Sequence, residues 1–144
     1  MYLITPYESV EGLKGKLNLN STPDEIEKSF GKCDLKSNEY APNYLTGSYP
    51  DGLTISYKEN LVCYIGILIT SSPVHHNFYF IDKNYDEVMN YFKQYPGNIY
   101  IENDVGIVSE FLGISAYFED GLKEVAIFSK SYGEEIIKTL EIAT

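Results

Sequence analysis

The chain has 144 residues, with 21 Asp and Glu against 11 cationic side chains, all of them Lys, so its net charge is −10. Apolar residues make up 44% and aromatics 15%, including 14 Tyr, which is enough to build a core at this length without disulfides or metals and excludes a disordered acidic chain. A surplus of negative charge with no Arg repels polyanions, which excludes a direct nucleic-acid reader and a polybasic membrane binder and attracts basic proteins.

Met1 to Leu13 carries no basic n-region and no apolar h-region, because Glu8 and Glu11 interrupt it, which predicts no export leader and a cytoplasmic location. Thr22 as N-cap, Pro23 at the first helical position and Glu25 at N3 predict a short helix, with Ile26 and Phe30 on one face and Gly31 as its stop. Lys36 to Asp51, rich in Asn, Ser, Gly, Pro and Tyr, reads as a long loop or a ragged edge strand. Gly52 to Leu61 holds alternating strand residues around a weak Glu59-Asn60 turn, and Leu61 to Ile69 is an apolar run of strand length. His75 and His76 read as an exposed loop before a strand at Phe78 to Ile81. Asn84 opens a second helix, with Asp86 and Glu87 in its first turn, a stripe of Val88, Tyr91, Phe92 and Tyr95, and a stop at Pro96-Gly97. Ile99 to Glu102 is a strand candidate, and Gly113 to Leu122 repeats the hairpin pattern with the stronger Asp120-Gly121 signal. Val125 to Lys130 reads as a further strand. Gly133 to Glu141, with Ile136, Ile137 and Leu140 at helical spacing, reads as a terminal helix.

The chain repeats itself. Asp24, Glu25, Ile26 and Phe30 fall on Asp86, Glu87, Val88 and Phe92 at a shift of 62, and Gly52 to Leu61 falls on Gly113 to Leu122 at a shift of 61. This predicts an α+β fold in a single domain, residues 1–144, built from a duplicated helix-plus-hairpin unit with halves at about 17–70 and 80–130. The antiparallel strands would form one shared or two adjoining sheets, with the helices packed on one face and the other face open.

No residues announce catalysis. His75 and His76 are adjacent, so in an extended segment they point to opposite sides and cannot chelate one metal. Cys33 and Cys63 show neither zinc nor CxxC spacing, and they read as small apolar side chains in a reducing compartment. No catalytic residue, metal or cofactor is expected, and a hydrolase would need His75, a Cys and a carboxylate to converge. The carboxylates at Asp24, Glu25, Asp86 and Glu87 serve helix starts. Any functional field therefore falls to Glu39, Asp51, Glu59, Glu102, Asp104, Glu119 and Asp120. Tyr is a favoured interface anchor, so the expected partner-binding surface combines Tyr40, Tyr44 and Tyr49 with Glu39, Asp51, Glu59, Glu119 and Asp120.

The opening Ile4 to Val10, then Leu17 to Asn20, Thr22 to Ile26 and Phe30-Gly31, resembles a group of small bacterial proteins that includes immunity proteins encoded beside polymorphic or contact-dependent toxins. The duplicated unit is similar to the tandem αβ arrangement of β-lactamase inhibitor proteins. The helix start is similar to an outer-membrane assembly lipoprotein module, although that module would need an export signal and a lipidated Cys. The resemblance implies a cytoplasmic immunity protein that binds a cognate toxin domain, expected to be a basic nuclease, and blocks its active site. The alternative is a non-enzymatic module of the same fold that binds a peptide or small ligand.

Overall fold

The computed structural model describes residues 1–38 and 41–143. The chain opens with β1 (Tyr2–Thr5), β2 (Ser9–Gly12) and β3 (Gly15–Asn18), then α1 (Pro23–Phe30). Four strands follow, β4 (Lys36–Asn38), β5 (Ala41–Tyr49), β6 (Leu53–Lys58) and β7 (Leu61–Leu68), then a 3-10 turn at Ile69–Ser71. The pair β8 (Pro73–His75) and β9 (Phe78–Tyr79) leads into α2 (Tyr85–Lys93). Four more strands, β10 (Ile99–Glu102), β11 (Gly106–Ser109), β12 (Ile114–Phe118) and β13 (Leu122–Phe128), precede α3 (Lys130–Ile137) and β14 (Glu141–Ile142). The fold is mixed α+β, and antiparallel pairing dominates.

Local chemistry explains the first two helices. The Thr22 hydroxyl accepts from the Glu25 N–H at 3.4 Å while the Glu25 carboxylate accepts from the Thr22 N–H at 3.3 Å. Asn84 and Glu87 make the same reciprocal pair at 2.9 and 3.1 Å. Each box satisfies two otherwise orphaned N–H groups, and such a cap is worth about 1 kcal/mol. Both β6–β7 and β12–β13 turn through two residues with positive φ, Glu59 (53°) and Asn60 (63°) in one and Asp120 (54°) and Gly121 (105°) in the other. The first hairpin is a two-residue turn between paired Lys58 and Leu61, whereas the second, which carries the expected Gly, places three residues, Glu119 to Gly121, between paired Phe118 and Leu122 beside a register shift.

One sheet has nine strands in the order β14-β10-β11-β12-β13-β7-β6-β5-β4, and the other has five in the order β3-β2-β1-β8-β9. In the larger sheet β7 and β13 lie side by side at the centre, with Ile65 opposite Ile127 and Gly66 opposite Ala126. From that pair outward, β6, β5 and β4 run to one edge and β12, β11 and β10 toward the other. Positions that correspond at the 61- and 62-residue shifts are alike in burial: Ile26 and Phe30 with Val88 and Phe92, and Leu53, Ile55 and Tyr57 with Ile114, Ala116 and Phe118. The smaller sheet is joined by a parallel pairing, Tyr2 opposite Pro73 and Leu3 opposite Val74.

The main core gathers Ile26, Phe30, Val88 and Phe92 of α1 and α2 against Ile55, Ile65, Ile107, Ile114 and Ile127 of the nine-stranded sheet, with Ile4, Val10 and Leu17 from the smaller one. Burying each such side chain stabilises the fold by about 1.5–3 kcal/mol. A second cluster packs Tyr100, Val108 and Phe128 against Tyr132, Ile136, Ile137 and Leu140. Val108 and Phe128 directly follow Ile107 and Ile127, so they point to the opposite side of the sheet. The expectation that the helices share one face is therefore corrected: α1 and α2 supply the main core, and α3 covers part of the other face. The terminal helix also begins earlier than its spacing suggests, because Ser129 caps it by accepting from the Tyr132 N–H at 3.3 Å. That cap ends β13 at Phe128, short of the expected Lys130. No helix among the described residues is long and apolar enough to cross a membrane.

Candidate partner-binding surface

The structure distributes the expected surface rather than gathering it. Glu39 and Tyr40 lie outside the described residues. Tyr44, on β5, donates its hydroxyl to Glu135 of α3, meets the Tyr132 ring edge-on at 5.8 Å and lies under the Lys58 ammonium, 5.5 Å from the ring centre. Lys58 pairs with the same Glu135. Tyr44 thereby ties α3 to the sheet. Tyr49 is five residues farther along the strand and so faces the other way, packing on Phe30 at 6.2 Å and donating to the Gly31 carbonyl at 3.3 Å. Asp51 pairs with Lys14 at 2.9 Å. Asp51 and Glu59 bracket β6 at opposite ends, a span of roughly 26 Å at the usual strand rise. Since Leu53 pairs with Ile67 and Ile67 with Val125, Glu119 and Asp120 lie at the Asp51 end. The six described residues thus occupy two faces and two ends of the sheet.

One group does converge. At the Asp51 end, the turn between β10 and β11, the turn between β12 and β13, and the first turn of α2 enclose a cleft of about 600 Å³ lined by Tyr85, Asp104, Val105, Tyr117, Phe118, Glu119 and Asp120. The backbone ties the two turns together, the Phe118 N–H donating to the Val105 carbonyl at 2.7 Å. Tyr85 and Phe118 form its aromatic floor, with ring centres 5.2 Å apart. Val105 remains 37% exposed, so the wall beside this floor is apolar and accessible, while Tyr117, opposite Glu124, turns its side chain to the other face of the sheet.

The carboxylates around this cleft differ. Glu119 accepts from Lys123 at 3.1 Å and from the Tyr117 hydroxyl at 3.3 Å, and Lys123 and then Tyr117 hold its carboxyl below the usual range. Asp104 and Asp120 take no part in the ion pairs of the described residues. Both sit in left-handed backbone, at φ 62° and 54°, which Asp tolerates and which aims the turns back on themselves. Burial raises the Tyr85 hydroxyl pKa, and the charges of Asp104 and Asp86 raise it further.

On the face that α3 partly covers, Tyr64 donates to Glu124 at 3.0 Å, and burial raises the Glu124 carboxyl pKa. Glu124 lies over Gly66, where a Cβ would fall 2.1 Å from Oε1. A side chain there would displace the carboxylate end of Glu124.

The histidines depart from the expected exposed loop. His75 is 1% exposed in β8, its Nδ1 is 2.5 Å from the Tyr91 hydroxyl, and that hydroxyl donates to the His75 carbonyl at 3.2 Å. The tautomer decides which of Nδ1 and the Tyr91 hydroxyl donates in this contact, and Nε2 has no partner among the described residues. Left-handed backbone at His76 (φ 52°) folds the second imidazole back to 4.2 Å from the first, so the two rings lie together, tilted by 53°, rather than on opposite sides. Burial, then the neighbouring His76, lowers the His75 pKa to about 4. Cys63 is buried and donates toward the Ser56 carbonyl at 3.4 Å, with its thiol pushed up to about 11 by burial, while Cys33 packs against Gly47. Among the described residues no group of three or more His, Cys, Asp or Glu could hold a metal ion.

Sequence reasoning placed Asp104, Glu119 and Asp120 among the functional carboxylates but missed Tyr85, Val105, Tyr117 and Phe118. The signal was present in Asn103-Asp104-Val105-Gly106, a set of turn residues after a strand that marks a further hairpin and brings Val105 beside the Asp120 turn. Comparison of the chain with family models, with characterised proteins and with solved structures finds no match in any of the three.

Proposed function

We propose that the protein is an acidic immunity protein that binds a cognate basic toxin domain, a nuclease by preference, and neutralises it by covering its active site, with no catalytic step of its own. The observation that carries this reading is the end cleft, which sets the accessible apolar group of Val105 beside the carboxylates of Asp104 and Asp120, neither of them in an ion pair among the described residues, on a chain of net charge −10. A nuclease active site offers a Lys- and Arg-lined groove, and a carboxylate surface fills that groove as phosphates do. The long-range field speeds encounter, and apolar and aromatic anchors slow release. We place the protein in the cytoplasm, where such a toxin acts.

We also read the chain as two copies of one helix-and-meander unit. The support is the strand order mirrored about β7 and β13 and the matched burial of corresponding residues. The functional reading is tested by co-expressing the protein with the product of the gene immediately upstream. Protection of the cells and recovery of an equimolar complex are expected; a freely active toxin, or an upstream product with an acidic surface, overturns it.

A further inference from the structure

We propose that the cleft between the β10–β11 turn, the β12–β13 turn and the start of α2 seats a lysine side chain of the partner protein, an inference that rests on the toxin-antagonist reading. The cleft has two chemically distinct parts that match the two parts of lysine. Tyr85 and Phe118 form an apolar floor, extended by the exposed side chain of Val105, and this takes the four-methylene stem. Each methylene buried there contributes about 0.8 kcal/mol. Asp104 and Asp120, on two separate turns of the rim, take the ammonium.

The third rim carboxylate shows why the first two are free for a guest. Glu119 already has a lysine, the chain's own Lys123, at 3.1 Å, together with the Tyr117 hydroxyl. Asp104 and Asp120 have no equivalent ion-pair partner among the described residues. Two carboxylates approaching from different turns suit an ammonium, whose three N–H donors diverge, better than a planar guanidinium, which favours one carboxylate held edge-on. The aromatic rings beside the ammonium site add cation–π attraction.

The test is an NMR titration of the full chain with Nα-acetyl-lysine amide, run alongside its neutral isostere Nα-acetyl-norleucine amide and Nα-acetyl-arginine amide. Saturable shifts confined to the amides of Val105, Phe118 and Gly121 and their neighbours are expected with the lysine derivative, with weaker binding of the other two. The Asp104→Asn, Asp120→Asn double variant should bind about tenfold more weakly. Asn accepts left-handed backbone as Asp does, so an unchanged spectrum elsewhere confirms the fold. Equal response to the norleucine derivative, shifts scattered over the acidic surface without saturation, tighter binding of the arginine derivative, or undiminished binding by the double variant would each overturn the proposal. Failure here leaves toxin neutralisation standing. Conversely, loss of protection in co-expression removes the functional reading without altering the titration.

Discussion

Replacing His75 with Phe should flatten the pH dependence of stability. The native imidazole is buried against Tyr91, Tyr95 and His76, and its Nε2 has no partner among the described residues, so protonation would place a charge and an unsatisfied donor in the interior. Its pKa is about 4 in the folded chain against the ordinary imidazole value of 6.5. Below 6.5 the unfolded chain therefore takes up a proton that the folded chain refuses. Stability contributed by neutral His75 is complete above 6.5, declines as pH falls, and is fully lost below about 4. At 1.36 kcal/mol per pH unit the whole loss is roughly 3 kcal/mol, of which about 2 kcal/mol is spent by pH 5. Phe fits the aromatic surroundings, and Tyr91 keeps its bond to the residue-75 carbonyl and its neighbour Tyr95 at 3.2 Å. Urea unfolding of both proteins at pH 7, 6 and 5 isolates the effect, because the titrating carboxylates are common to both. The wild type should lose about 2 kcal/mol more than the variant over this range. Parallel stability profiles, or an NMR titration of His75 near 6.5, would refute the buried neutral imidazole.

Glu124→Gln should raise stability at pH 7, since burial holds the native carboxyl pKa up and the folded chain loses stability as that group ionises; the gain should vanish in acid, as read by urea unfolding at pH 7 and 4. Gly66→Ala should cost less than about 1 kcal/mol by urea unfolding, because the added Cβ meets only the movable carboxylate end of Glu124 and the Tyr64 ring, and a double-mutant cycle with Glu124→Ala should show the coupling. Asn84→Ala should cost about 1 kcal/mol, measured by thermal or urea unfolding, because the Glu87 N–H loses its acceptor.

What was legible in the letters was local. Thr22-Pro23-Asp24-Glu25 and Asn84-Tyr85-Asp86-Glu87 specify their helix starts through side chains three residues apart, and Asp120-Gly121 specifies a turn through two adjacent φ angles. The parallel pairing of β1 with β8 joins segments about 70 residues apart with no periodic signature of its own, so the smaller sheet was hidden. The start of α3 was masked because the apolar run of β13 continues to Phe128 and only the Ser129 cap marks the change. Tyr44 and Tyr49 were grouped by composition, but an odd spacing along a strand sends them to opposite faces. The same limit applies to the candidate surface: antiparallel pairing of β7 with β13 sends the two similar hairpin turns, and with them Glu59 and Asp120, to opposite ends of the sheet. Register is a long-range property, and it decided which carboxylates became neighbours.

On the proposed function, negative charge on this chain guides a basic partner onto the Asp104 and Asp120 end. The most direct measurement of this guidance is the association rate with the purified upstream toxin domain across ionic strength. Between about 0.01 M and 1 M salt the screening length falls from roughly 30 Å to 3 Å. The account predicts an association rate that drops by at least tenfold over this range, and a shallower dependence for the Asp104→Asn, Asp120→Asn variant. An association rate indifferent to salt, or one that rises with it, would contradict the account.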